Sequence, residues 1–239
     1  MNGVSDILLM SGGAFLASTL AAVTGFGGAA VLLPILVLIF GVRDAIPILT
    51  VAQLIGNGSR VWFNRSELVL PVVGWFALGG VPAALVGGVL FASAPLSFLK
   101  RLLGIFLLGT VAYRHLGQQS SLRLPLRGFA VIGAVFSFLS ALLGSVGPIM
   151  APFFLAYGLV KGAYIGTEAF ATVVMHVTKL VAYGGTAILT LQSVAAGLAL
   201  GPIMVLGSFI GKKILDRVPE RLFVLLIEGT LLVAGLGFL

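Results

Sequence analysis

The sequence predicts an all-α, polytopic membrane protein built from two inverted-topology repeats. Of its 239 residues, 59% are hydrophobic and only 9% are charged, whereas an average soluble domain has about a quarter charged residues. Many apolar runs approach the roughly 20 residues that a helix needs to cross the hydrocarbon core. These runs are continuous and do not alternate with polar residues, which favours helices over a β-barrel. No polar stretch is long enough to form a soluble domain.

Glycine, proline and charge clusters divide the chain into ten apolar segments. These are residues 7–23, 29–40, 45–63, 68–91, 97–115, 128–143, 149–157, 163–183, 188–210 and 219–239. Segments 29–40 and 149–157 are too short to cross a membrane alone. Each half is therefore expected to hold a broken helix pair, either two tilted crossings or a re-entrant hairpin, followed by three transmembrane helices.

The order of residues in the first half recurs in the second. Matched pairs, at offsets of 118 to 120 residues, are Pro34 and Pro152, Val42 and Val160, Arg43 and Lys161, Ala45 and Ala163, Asn57 and His176, Arg60 and Lys179, Pro82 and Pro202, Gly87 and Gly207, Arg101 and Arg221, and Gly109 and Gly229. We therefore expect a first repeat over residues 1–116, a cytoplasmic linker over 117–127 and a second repeat over 128–239, all within one membrane domain. An odd number of crossings per half would invert the second repeat relative to the first.

Loop charge agrees with this inversion, since nine basic residues would lie on one side of the membrane and three on the other. The nine are Arg65, Arg114, Arg123, Arg127, Lys161, Lys212, Lys213, Arg217 and Arg221. The three are Arg43, Lys100 and Arg101. Lys and Arg concentrate in cytoplasmic loops, so both termini are predicted to lie outside the cytoplasm, across a bacterial inner membrane. The net charge of +7 then reflects these loops and not nucleic acid binding.

Two breaks mark the predicted substrate site. The residues assigned to it are Gly25, Gly27 and Gly28 in the first half and Gly144, Ser145 and Gly147 in the second. A helix that starts after such a break points its positive end at a backbone-lined cavity, which favours an anion. Tight helix packing through small residues is the alternative. Matched breaks in two repeats favour a transporter site.

Polar side chains at corresponding positions extend this site. Asn57 and Arg60 lie three residues apart on one helix face, as do His176 and Lys179 in the second half. Two cations and two hydrogen-bonding groups suit a sulfonate, sulfite or carboxylate. Arg60 could instead reach out to water from its helix end, and His176 could be a helix contact.

Buried carboxylates provide candidates for proton coupling. Glu228 and Glu168 lie within apolar segments, where a carboxylate is expected to have a function. Glu228 is expected to be protonated or to pair with Lys179 or Arg60, and His176 is a further candidate for the proton. Structural ion pairs are the alternative for both carboxylates. Weaker candidates for the site are Gln53, Thr172, Thr178 and Gln192.

No enzyme is predicted. The chain has no cysteine, which excludes disulfides, zinc–thiolate sites and cysteine nucleophiles. No phosphate loop, metal-binding histidine cluster or haem ligand pair occurs, so no cofactor or metal is expected. Ser145 with His176 suggests an intramembrane serine protease only weakly, because no oxyanion element accompanies them.

The breaks resemble those of a known family. Gly25-Phe26-Gly27-Gly28, followed by Pro34 and Gly41, resembles the signature of the TauE/SafE sulfite exporter family, and Gly144 to Pro152 followed by Gly158 resembles its second copy. The resemblance covers nearly the whole chain. It implies transport of sulfite, sulfoacetate and related organosulfur anions, often as export driven by the proton gradient.

The second break departs from this pattern, having Ser145, Val146 and Pro148 in place of a fuller glycine cluster. The two breaks are therefore not expected to contact the substrate equally. The expected partners are a small anion, protons and the lipid bilayer, and a homodimer is compatible with the sequence. A passive anion channel and a non-transporting membrane scaffold are the alternatives to a proton-coupled transporter.

Overall fold

The computed structural model describes residues 3–95, 97–98, 124–144, 146–219 and 222. These residues form seven α-helices and no β-strand, so the predicted all-α class is confirmed. The helices are α1 Val4–Thr24, α2 Gly28–Phe63, α3 Leu70–Ser93, α4 Gly128–Leu143, α5 Gly147–Ala156, α6 Lys161–Gly185 and α7 Leu191–Arg217. A 3₁₀ turn, Arg65–Glu67, joins α2 to α3.

Five of the described helices, α1, α2, α3, α6 and α7, are long and apolar enough to cross a membrane. Helices α4 and α5 have only 16 and 10 residues. The predicted segments 29–40 and 45–63 both lie in α2, which consists of two helical parts joined across a kink at Gly41, with φ 76°. The sequence predicted a break between these segments, and the structure has it as a one-residue turn, since a single glycine at positive φ is enough to redirect the chain.

Several predictions fall outside the described residues. These are the segment 219–239 apart from residues 219 and 222, the segment 97–115 apart from residues 97–98, linker residues 117–123, the pairs Arg101 with Arg221 and Gly109 with Gly229, and the site residues Ser145 and Glu228. The third full helix predicted for each half belongs to these segments.

Each half begins with an antiparallel helix pair. In the first pair, a Cβ added at Gly28 would lie 3.0 Å from the Ala17 carbonyl oxygen, and one at Gly13 would overlap Ile35. Helix α1 is thus packed along the beginning of α2, which returns toward its start. In the second pair, the Phe129 ring at the start of α4 lies 5.3 Å from the Tyr157 ring just after α5.

The tip of each pair contains a glycine in the left-handed region. Gly25 ends α1 with φ 86°, and Gly144 ends α4 with φ 83°. A side chain is disfavoured at such φ values. At Gly25 a Cβ would also overlap the Tyr164 ring, so the first break needs glycine for two reasons.

Basic residues that the loop pattern assigned to one side lie together at one end of the bundle. This end, here called the Arg65 end, carries Arg65, Glu67, Arg127, Lys161 and Lys212. Lys212 Nζ lies 3.8 Å from Glu67 Oε1, the Glu67 carboxylate packs against Gly162 beside Lys161, and the Arg127 guanidinium lies 6.0 Å from the Trp75 ring near the start of α3.

The opposite end, here called the Arg43 end, carries Arg43. Its Nη2 donates to the Ala92 carbonyl oxygen at 2.7 Å, and Ala92 lies in the last turn of α3. Because α3 runs from one end to the other, Arg43 and Arg127 lie at opposite ends, as the loop pattern predicted.

Helices α2 and α6 pack against each other at the centre of the bundle, with α7 also on α2 and α3 also on α6. Helix α1 packs on α7, and α4 packs on α3. The central pair carries buried ionisable side chains, including Arg60 and Lys179, whereas large apolar side chains such as Leu38 and Leu191 are 83% and 86% exposed on the outside. An apolar exterior around a polar interior suits a protein surrounded by lipid.

Small residues allow α3 and α4 to approach closely. A Cβ added at Gly79 would overlap the Ala130 carbonyl group, and one at Gly133 would overlap the Phe76 carbonyl group. Close backbone approach through small residues is a common mode of helix association in membranes.

We predict that Gly79→Ala destabilises the protein and that Gly74→Ala does not. Gly74 lies on the same helix, but nothing is within 4 Å of a Cβ added there, and alanine favours a helix by about 0.5–1 kcal/mol over glycine. Thermal unfolding of the detergent-solubilised protein measures both variants. Equal melting temperatures for the two would contradict the close approach of α3 and α4.

Candidate functional site

A buried cavity of about 40 Å³ lies between the two breaks. At about 10–15 Å³ for each water molecule, it has room for roughly three. Most of the predicted site residues line it. These are Gly25, Gly27, Gly28, Asn57, Arg60, Gly144, Gly147, Glu168 and His176. The structure therefore brings both halves of the predicted site to one place.

Two helix N-termini meet at this cavity. Helix α2 begins at Gly28 and α5 begins at Gly147, and both glycines line the cavity. The first N–H groups of a helix have no acceptor within it, and no side chain caps either of these starts. Two positive helix ends therefore face the same small space.

Arg60 links the first break to α2. Its Nη1 donates to the carbonyl oxygens of Ala21 at 3.0 Å and Gly25 at 2.7 Å, which lie at the C-terminal end of α1. Its Nη2 donates to Asn57 Oδ1. Arg60 is only 4% exposed, so the alternative that it reaches out to water is wrong. A cation at this place also interacts favourably with the negative end of α1.

Glu168 on α6 is the carboxylate partner of Arg60. Its Oε2 lies 3.4 Å from Arg60 Nη1, and its Oε1 accepts a hydrogen bond from Thr172 at 3.1 Å. The sequence suggested Glu228 as a partner for Arg60 or Lys179, and Glu228 lies outside the described residues. Helices α2 and α6 are thus joined by an ion pair beside the cavity.

Lys179 occupies the place in the second half that Arg60 has in the first. It lies one turn after His176 on α6, is completely buried, and donates from Nζ to Ser140 Oγ at 3.2 Å. Ser140 lies one turn before Gly144, just as Ala21 lies one turn before Gly25. Lys179 itself does not line the cavity, but Ser140 does.

Two side-chain nitrogens at the cavity have no hydrogen-bond partner among the described residues. They are Gln53 Nε2 and His176 Nδ1, on side chains that are 4% and 3% exposed. Asn57, between Gln53 and Arg60, is satisfied because its Nδ2 donates to the Gln53 carbonyl oxygen at 2.7 Å. Buried polar groups normally have partners, so these two are free to bind a ligand.

The weaker candidates separate into two groups. Gln53 and Thr172 line the cavity. Thr178 is instead bonded to the Val174 carbonyl oxygen at 2.8 Å, and Gln192 is exposed on α7. No group of three or more His, Asp or Glu residues that could hold a metal ion occurs in the described part of the chain.

Sequence reasoning missed several residues of the cavity, above all Ser140, Phe26 and Met150. Phe26 belongs to the first break and reaches the second, since its Cβ would be 3.0 Å from a Cβ added at Gly147. Its place within the glycine motif is a signal in the sequence. Ser140 has a weaker one: at an offset of 119 residues it aligns with Ala21, which lies four residues before Gly25.

A family comparison matches almost the entire chain. The model of the sulfite exporter TauE/SafE family covers residues 10–238. The chain belongs to this family. The predicted resemblance is thereby confirmed, and with five helices of spanning length this TauE/SafE protein is a multi-pass membrane protein of a transporter family. Comparison with curated proteins and with solved structures gave no match.

We predict that replacing one member of the buried ion pair of this TauE/SafE protein destabilises it more than replacing both members. Arg60→Met alone leaves Glu168 buried without its cation and should cost about 3–5 kcal/mol. The double variant Arg60→Met, Glu168→Leu should recover part of that loss, because it leaves no unpaired charge. Thermal unfolding in detergent measures this.

Arg65→Met is the matched control, since Arg65 is exposed and lies 4.5 Å from the Trp62 ring. It should change the melting temperature little. A double variant that is less stable than Arg60→Met would contradict the assignment of Arg60 and Glu168 as a coupled pair.

Proposed function

We propose that this protein is a secondary transporter that exports a small sulfur-containing anion, such as sulfite or an organosulfonate, across a bacterial inner membrane. The observation that carries the proposal is the cavity between the N-termini of α2 and α5, with the unpaired nitrogens of Gln53 and His176 at its wall. Membership of the sulfite exporter TauE/SafE family supports the choice of anion.

The chemistry of the cavity suits an oxyanion. A sulfite or sulfonate group presents three oxygen atoms, all of them hydrogen-bond acceptors. The N–H groups near Gly28 and Gly147 and the amide of Gln53 are donors, and helix N-termini bind anions in many proteins. The volume of about 40 Å³ fits a group of this size better than a large organic molecule.

We interpret the two halves as inverted-topology repeats. The α1–α2 pair opens at the Arg43 end, and the α4–α5 pair opens at the Arg65 end. The packing supports a pseudo-twofold relation between the halves. The contact of α1 with α7 corresponds to the contact of α4 with α3, and α2 and α6 meet at the centre. Sites at the interface of such repeats are typical of secondary transporters.

Transport would require the cavity to open to one end at a time. On the side of the Arg65 end lie the Arg60–Glu168 pair and a hydrogen bond from Val69 N to Thr167 Oγ1 at 3.0 Å. On the side of the Arg43 end, Tyr183 donates to the Ala141 carbonyl oxygen at 2.6 Å and packs on Phe91. We assign these contacts as the two gates of an alternating-access transporter, which a passive channel would not need.

The orientation follows from charge. The described basic residues of the loops lie mostly at the Arg65 end, which we assign to the cytoplasm by the positive-inside rule. Helix α1 begins at the Arg43 end, so this assignment agrees with the expectation that the N-terminus lies outside the cytoplasm. We propose the same side for the C-terminus, which lies outside the described residues.

We predict that the purified protein, reconstituted into liposomes, moves radiolabelled sulfite down its concentration gradient. Empty liposomes are the control, and unlabelled sulfoacetate should compete. The rate should saturate with sulfite concentration and carry no channel-like current steps in a planar bilayer. A protein that moves no small oxyanion would refute the proposed function, and single-channel currents would favour a passive anion channel.

We further predict that this flux depends on a proton gradient, with Glu168 or His176 as the group that takes the proton. An imposed pH gradient should accelerate sulfite transport, and a protonophore should abolish the acceleration. Glu168→Gln and His176→Gln are then compared, and the variant that keeps downhill flux but ignores the gradient identifies the group. Wild-type flux that is unaffected by the protonophore would exclude proton coupling.

A further inference from the structure

The cavity has two half-sites of the same design. In each, a cation on a central helix reaches the last turn of the helix that ends at a break. Arg60 contacts the Ala21 and Gly25 carbonyl oxygens, and Lys179 contacts Ser140. The N–H groups of the break glycines correspond as well, since Gly25 N donates to Ala21 O and Gly144 N to Ser140 O, both at 2.9 Å.

The two half-sites differ in charge. The Arg60 guanidinium is neutralised by Glu168 at 3.4 Å, so a carboxylate of the protein already occupies that half-site. Lys179 makes no ion pair with any described residue, although it is completely buried. A buried lysine with no counter-charge nearby is costly in its charged form, so the second half-site is the one that gains from an added anion.

The hydroxyl hydrogen of Ser140 is not used in its bond to Lys179. Lys179 Nζ donates to Ser140 Oγ at 3.2 Å, so Oγ is the acceptor of this bond and its own hydrogen remains available. Thr24, Thr50 and Thr178 donate to the carbonyl oxygen one turn back in their helices. Ser140 makes no such bond among the described residues, and it lines the cavity.

We infer that Ser140 donates its hydroxyl hydrogen to the oxyanion of the substrate in the second half-site, and that Lys179 acts as a positioning residue that fixes this hydroxyl. His176, whose Nδ1 is unpaired at the same cavity, adds a second donor when Nδ1 carries the proton. Arg60 serves instead to hold the first break in place. This inference rests on the proposed function and specifies which half of the cavity recognises the anion.

The test is the concentration dependence of sulfite transport in proteoliposomes containing the full chain. Ser140→Ala should raise KM for sulfite roughly ten- to hundredfold, the effect expected for a lost hydrogen bond to a charged ligand, with a smaller change in maximal rate. Ser140→Thr keeps the hydroxyl group and should recover most of the affinity. Ser137→Ala is the control, because Ser137 is also buried on α4 but does not line the cavity.

Lys179→Gln and the double variant Ser140→Ala, Lys179→Gln then measure how the two residues are coupled. If Lys179 acts through Ser140, the double variant should have a KM close to that of the worse single variant, because the effects are not additive. Should Lys179→Gln not yield folded protein, Lys179→Met replaces it in the same cycle, because methionine fills similar space and has no donor for Ser140.

Each outcome decides something different. A wild-type protein that neither binds nor transports sulfite refutes the proposed function and this inference with it. Wild-type transport combined with an unchanged KM in Ser140→Ala refutes only the inference. Multiplicative KM effects in the double variant refute the positioning role of Lys179, and an equal rise of KM in Ser137→Ala shows that the effect is not specific to the cavity.

Discussion

The backbone groups set free where α1 ends at Gly25 must find partners inside the protein, because lipid offers none. The Arg60 guanidinium supplies them by binding the carbonyl oxygens of Ala21 and Gly25. A cation buried in this way needs a counter-charge, and Glu168 provides it from α6. The broken helix therefore depends on an ion pair that joins the two halves of the chain, and the cavity between the breaks keeps its shape for the same reason.

Duplication alone would give two equal half-sites, and the differences between them lie at a few positions. At an offset of 119 residues, Ala21 aligns with Ser140, Arg60 with Lys179 and Leu49 with Glu168. Leu49 is completely buried in the apolar core, so nothing at that position neutralises Lys179 as Glu168 neutralises Arg60. Because of these three differences, the first half-site holds α1 and α6 together through Arg60 and Glu168. The second half-site instead has a lysine without a carboxylate and a serine whose hydroxyl hydrogen is available.

The parts of this arrangement that could be predicted from the sequence are local. Gly25 and Gly144 belong to breaks that the density of glycine and proline predicts, because that signal depends on only a few neighbouring positions. The spacing of Asn57 and Arg60 places them on one helix face. The Arg60–Glu168 pair could not be predicted because its members are 108 residues apart. Ser140 was overlooked because a serine in an apolar helix usually bonds to its own backbone, and only the position of Lys179 shows otherwise.

The proposed transport cycle has to break the contacts on either side of the cavity, and their chemistry sets the condition for doing so. Opening toward the Arg65 end separates Arg60 from Glu168, which leaves two unpaired charges in a region of low polarity. In the proposed cycle, a proton on Glu168 would remove one of these charges and so lower the barrier to opening toward the Arg65 end. The anion would bind in the second half-site beside Ser140, in the same cavity. The ion pair that stabilises the first break would therefore make opening of this end depend on the proton.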